Sequence, residues 1–141
     1  MKKVLLNIIG SQSIDDEKDR LELTTIGSIE ELENEYVIYY NEEQEPPFSQ
    51  VHVSVKISKD KKSVEMIRTG AFDSCLIIEK SKRNLCHYGT EYGDILMGIS
   101  GHEIEADYAD DNGKFRFSYD IDLNGALASR NEVIITYKNQ E

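Results

Sequence analysis

Asp120, Asp122 and Asn124 place side-chain oxygens at alternate positions, and Gly125 follows. This is the front half of a calcium loop, which wants oxygens at positions 1, 3 and 5, glycine at 6 and a bidentate carboxylate at 12. The twelfth position here is Asn131, and Glu132 misses by one. Positions 7 to 11 read ALASR, with no acid near the ninth. The residues before Asp120 alternate as a strand does, whereas an EF-hand needs a helix there. The spacing predicts two solvated strand aspartates running into an Asn-Gly turn, with no metal site and no cofactor.

Cys86-His87 is the other metal-like pair, with Cys75, His52 and His102 as the remaining candidate ligands. A zinc site announces itself by paired ligands two to four residues apart, twice over, and no such pairs occur. Adjacent strand residues also point to opposite faces, so Cys86 and His87 cannot easily share one ion. If a two-residue loop, Lys80-Ser81, joins their strands, Cys75 and Cys86 lie opposite one another within disulfide reach. A four-residue loop makes them diagonal. Without a signal segment, the expectation is free thiols in a reducing cytoplasm. No nucleophile elbow, phosphate loop or dinucleotide fingerprint is present, so no catalytic residue is assigned and no enzyme activity is read.

Tyrosine is the most suggestive residue, 8 of 141 with no tryptophan. Tyr88, Thr90 and Tyr92 alternate and so share one strand face. With Tyr119 they predict a lumen lined by hydroxyls, where Arg68 anchors an anionic head group. The competing reading is a solid interior, with Phe115, Phe117, Tyr119, Met66 and Met97 filling it and the tyrosine hydroxyls bonded locally.

These residues must be positioned by strands. In VHVSVKI, Val51, Val53, Val55 and Ile57 share one face. In KFRFSYDIDL, Phe115, Phe117, Tyr119, Ile121 and Leu123 do the same. Period two of this length signals half-buried antiparallel strands. The runs LLNIIGSQSI, RLELTTIGSI, EYVIYY, SVEMIRTG, CLIIEK, LCHYGTEY, DILMGI, HEIEADY and EVIITY agree, and SIEELENE reads as a strand end and turn. Polar or glycine-bearing loops separate them: NEEQEPPFS, KDKK, GAFD, KSKR and DDNG. In DDNG, Asn112-Gly113 suits a type I′ turn. The prediction is an all-β fold, a single antiparallel up-and-down meander over residues 1–141. Closure into a barrel of about 8–10 strands would remove its exposed edges.

Hairpins of a meander turn at alternate ends, so KDKK and KSKR should form a basic collar at one mouth. NEEQEPP and GAFD should lie at the other, with DDNG beside them unless SGH (residues 100–102) is a bulge inside one long strand. The balance of 16 basic against 27 acidic residues, net −11, argues against a nucleic-acid partner, which needs a basic surface. No run approaches the roughly 18 apolar residues of a membrane span, and MKKVLLNIIG reads as a strand rather than a signal peptide.

The segment from Ile67 to Gly125 resembles the YwiB-like family of short uncharacterised bacterial proteins. Arg68, Gly70, Tyr88, Thr90, Tyr92, Gly93, Tyr119 and Asn124 carry the resemblance, while Glu91 stands where the family pattern has proline. The resemblance implies a calycin-type, lipocalin-like barrel and no established activity. Together these readings leave two functions. One is a lipocalin-like carrier or sensor for a small apolar or anionic ligand, held by Arg68, Tyr88, Thr90, Tyr92 and Tyr119. The other is a packed barrel that meets a protein partner or a second copy, as monomer or homodimer.

Overall fold

Among the described residues the alternating runs become ten strands: β1 Lys2–Ile14, β2 Glu17–Glu31, β3 Glu35–Glu43, β4 Gln50–Ser58, β5 Ser63–Thr69, β6 Ser74–Glu79, β7 Arg83–Thr90, β8 Gly93–Asp107, β9 Asn112–Leu123 and β10 Ala126–Asn139. The computed structural model describes residues 1–43, 50–70 and 73–141. Each strand pairs antiparallel with its neighbours in sequence, and β1 pairs with β10 from Val4↔Asn139 to Ser13↔Arg130, closing the barrel. Among the described residues no helix is long and apolar enough to cross a membrane.

Parity decides what faces inward. Val4, Leu6 and Ile8 on β1, Val53, Val55 and Ile57 on β4, and Phe115, Phe117 and Tyr119 on β9 are all buried. Their intervening neighbours face outward, as a pleated strand requires.

β8 runs unbroken through HEIEADY, with a register shift between Gly101 and Ile104. The DDNG connection therefore leaves from the end that carries KDKK and KSKR, and Asp110 and Asp111 interrupt the basic collar. The type I′ expectation at Asn112-Gly113 is also corrected, because β9 already begins at Asn112. Gly113 is required there for space: a Cβ would come within 2.5–2.6 Å of the Tyr137 ring and hydroxyl. The Asn-Gly pair with two positive φ angles is Asn124-Gly125, at 55° and 88°, the I′ signature.

At this collar end the barrel is plugged by aromatic rings. Tyr36 stacks on Tyr108 at 4.8 Å and tilts against Phe115 at 5.5 Å; Phe115 stacks on Tyr137 at 5.9 Å. Lys2 and Lys59 lie over Tyr108 and Tyr36 at 5.6 and 5.3 Å, where the ring faces attract their charge. The Tyr137 hydroxyl donates to Ala109 O at 2.6 Å and accepts from Ala109 N at 3.1 Å, fixing the β8–β9 turn to the plug.

The wall is weakest between β6 and β7, joined by one ladder pair, Ser74↔Tyr88. Further along, side chains substitute for the ladder. Ile77 N donates to Cys86 Sγ at 3.4 Å, and Asn84 Nδ2 donates to Ile77 O at 3.3 Å. The connection spans residues 80–82, with Ser81 at φ 63°, and is not the two-residue loop. The Ser74↔Tyr88 register offsets the cysteines by one residue. Cys86 faces the core, Cys75 faces outward, and both thiols are free.

Candidate functional site

The end opposite the plug is hollow. A cavity of about 390 Å³ is bounded by Met66 and Arg68 on β5, Leu76 on β6, Tyr88 on β7, Met97 on β8, and Tyr119 and Ile121 on β9. An adjoining region of about 270 Å³ shares Gly10, Leu21, Met66, Arg68 and Val133 with it and adds Tyr40 and Glu42. Sizes of this order suit a small-molecule site. The second region lies where the barrel wall parts. β2 and β3 pair over four residue pairs only, Ser28↔Tyr39 to Glu31↔Tyr36. The ladder ends beside Gly27, where the strands still touch closely enough to leave no room for a Cβ beside Tyr39 O.

Of the residues expected to form the site, the barrel brings Arg68, Tyr88 and Tyr119 together around this cavity. Thr90 and Tyr92 do not join them. β7 ends at Thr90, whose hydroxyl donates to Gly93 O at 2.7 Å and accepts from Tyr92 N at 3.2 Å. That bond turns the chain, so the alternation from Tyr88 stops, and Tyr92 stands 93% exposed at the tip. The filled and hollow readings of the interior each hold for one half. Phe115 and Phe117 pack solidly, while Tyr119, Met66 and Met97 line space.

Glu42 and Tyr40 carry no such signature in the sequence. Residues 41–49 read as a loop, whereas β3 runs to Glu43. Residues 44–49 lie outside the described residues, as do Ala71 and Phe72 of GAFD. The available signal is parity: Tyr36, Ile38 and Tyr40 alternate inward, and Glu42 is the next member. Glu42 Oε2 accepts from Arg68 Nη1 at 3.1 Å, with both side chains about three-quarters buried.

Burial is the main force on the nearby hydroxyls. It pushes Tyr40 up to about 12, opposed by Arg68 and reinforced by Glu42. It raises Tyr119 as well, again opposed by Arg68. At the plug, burial pushes Tyr137 up to about 12, against the Ala109 N–H that favours the phenolate. The fold thus prefers neutral Tyr40 and Tyr137. Their stabilisation is fully present below the ordinary value near 10 and is lost as pH rises through 12. Thermal melts at pH 9, 10.5 and 12 should therefore fall steeply above pH 10. Tyrosinate absorbance should show a late fraction that appears together with unfolding. A single titration of all tyrosines near 10 with an unchanged melting temperature would refute the burial of these two.

The outer wall carries a groove of about 520 Å³ with Ser11, His102, Asp120, Arg130 and Glu132. Several of its charged groups are committed to one another or to neighbours. His102 Nε2 lies 3.1 Å from Asp120, and Glu132 accepts from Arg116 Nη2 at 2.6 Å. Asp122, the other aspartate of the calcium-like stretch, takes two bonds from Arg83 at 2.7–2.8 Å and one from Gly125 N at 2.9 Å. The Arg83 guanidinium beside it is the main reason its carboxyl is held down to about 2. Among the described residues no group of three or more His, Cys, Asp or Glu could hold a metal ion.

Residues 6–135 match the family described as a domain of unknown function, DUF1934. The chain belongs to the DUF1934 family. A solved structure with the same barrel is the crystal structure of the YwiB protein from Bacillus subtilis. It is 20% identical, covers 99% of this chain and 93% of its own, and superposes with a TM-score of 0.86. At that identity the likeness shows the fold alone. No curated protein matches. DUF1934 membership and the YwiB likeness support the YwiB-like resemblance and the barrel, and they bring no activity to the hollow half.

Proposed function

We propose that the barrel binds a small, predominantly apolar ligand in the hollow half of its lumen, as a calycin-type carrier or sensor in the bacterial cytoplasm. The observation that carries this reading is the cavity, built from Met66, Leu76, Met97 and Ile121 beside a partly buried ion pair, Arg68–Glu42. Apolar walls with a few convergent polar groups are the usual make-up of a ligand site. The free thiols on opposite faces of the sheet suit a reducing compartment.

Two cavity methionines and one distant methionine make the test internal. Met66 and Met97 line the cavity, while Met1 is 77% exposed at the plugged end. With ¹³C-methyl methionine labelling, titration with the neutral dye Nile red should shift Met66 and Met97 and leave Met1 in place. Gly10 borders both regions and has no atom within 4 Å of a built Cβ. Gly10→Leu should therefore fill the cavity, keep or raise the melting temperature, and weaken dye binding at least tenfold. Shifts confined to Met1, or binding undiminished in Gly10→Leu, would remove the lumen reading.

A second reading, a docking module, is favoured by the apolar outer face of β6–β8. Ile77, Leu85 and Leu96 there are 36%, 60% and 50% exposed. A doubled mass in native mass spectrometry that reverts on Leu85→Glu would favour it.

A further inference from the structure

We propose that the lumen site selects amphiphiles with an uncharged, amide-like head and rejects carboxylates; this rests on the reading that the lumen holds a ligand. Among the described residues Arg68 is the one cation lining the two regions at their shared wall, and its charge is already matched by Glu42 at 3.1 Å. The other charged side chains bordering these regions among the described residues are Asp19, Glu22 and Glu132. Glu22 accepts from Asn7 at 2.8 Å and Glu132 from Arg116, so two of the three are partnered outside the lumen. None of them is a cation.

A carboxylate head reaching Arg68 would have to share it with Glu42. Two like charges would then sit within hydrogen-bond distance in a partly desolvated place, which disfavours the charged pair strongly. Both partners nonetheless keep hydrogen-bonding capacity. A guanidinium has five N–H donors and a carboxylate about four lone pairs, and the ion pair uses one of each. A head that accepts from Arg68 and donates to Glu42 fits this arrangement without adding charge. A primary amide does both, and its chain would lie along Met66, Leu76, Met97 and Ile121.

The mouth acts in the same direction. β1–β2, β5–β6 and β7–β8 turn at the hollow end, bringing Asp15, Asp16, Glu17, Asp73 and Glu91 to it against Lys18, while the lysine loops are at the plug. A mainly acidic rim repels anions. The anionic ligand expected from Arg68 alone therefore suits neither the mouth nor the ion pair behind it.

The test compares decanamide with sodium decanoate, both below micellar concentration at pH 7, by methionine-methyl NMR on the full chain. In the wild type, decanamide should shift Met66 and Met97 with a Kd at least tenfold below that of decanoate. In Glu42→Gln, decanoate should gain about tenfold. The wild-type comparison stands alone if that variant misfolds. Decanoate binding as tightly as decanamide would overturn the selection while leaving the lumen reading intact. The selection is overturned in the same way if Nile red shifts the methyls and neither decyl probe does. If none of the three probes moves Met66 or Met97, the lumen reading fails and this inference fails with it.

Discussion

Phe115→Ala lowers the unfolding free energy by about 3–5 kcal/mol, the usual cost of emptying a packed aromatic site. Phe115 is fully buried and sits between Tyr36 and Tyr137, at 5.5 and 5.9 Å. The rings around it are held by their own commitments. Tyr137 is bonded to both backbone groups of Ala109, and Lys59 covers Tyr36. They cannot slide inward, so the cavity persists and its full cost is felt. The loss is a large part of the roughly 5–15 kcal/mol that holds a domain folded. Urea denaturation measures it directly. Met97→Ala is the companion measurement. Met97 is only partly buried and borders space that already exists, so its truncation should fall at the low end of such changes, about 2 kcal/mol. Equal losses at the two positions would contradict a barrel packed at one end and hollow at the other.

Gly101→Val should be similarly damaging, by about 3 kcal/mol, or roughly 10 °C in Tm. A Cβ at Gly101 would overlap the carbonyl oxygen of Glu79 and lie 2.7 Å from its carbon. The obstacle is backbone, and it is pinned. Ser81 N donates to Gly101 O and Gly101 N donates to Lys82 O, both at 3.0 Å. No rotamer change relieves the clash; the β6–β7 turn must shift. Gly10→Ala supplies the contrast: the added methyl meets open space, and removing a strand glycine also lowers the entropy of the unfolded chain. Its melting temperature should equal or exceed that of the wild type. A Gly101→Val protein as stable as Gly10→Ala would mean that the close approach to Glu79 does not exist in solution.

The barrel is legible in the sequence because its signals are local. Period-two alternation names each inward face, and the hairpin order of a meander leaves little topology to choose. What stays hidden depends on contacts between distant residues. Tyr88, Thr90 and Tyr92 alternate as written, and only the Thr90 bond to Gly93 O shows that the strand has ended. Asn112-Gly113 and Asn124-Gly125 are the same dipeptide. The second is the turn, and the first is a strand start where Tyr137 leaves no space for a side chain. Glu42 faces Arg68 from 26 residues away, so the neutralisation of the expected anion anchor is not visible in either segment. The hollow half has the same origin. Met66, Met97 and Tyr119 are large enough to fill a lumen, and strand geometry alone decides that they border one.

The β1–β10 ladder has a consequence for the nascent chain. Its ten pairs, Val4↔Asn139 to Ser13↔Arg130, join the first strand of the barrel to its tenth. Until β10 emerges, every earlier hairpin belongs to an open sheet, with β1 an unpaired edge about a dozen residues long. Exposed edges of that kind recruit other chains, and late long-range pairing prolongs the exposure. The barrel becomes safe from edge-to-edge association only once β10 has paired with β1. Chains truncated before Arg130 should accumulate as aggregates rather than as smaller folded barrels.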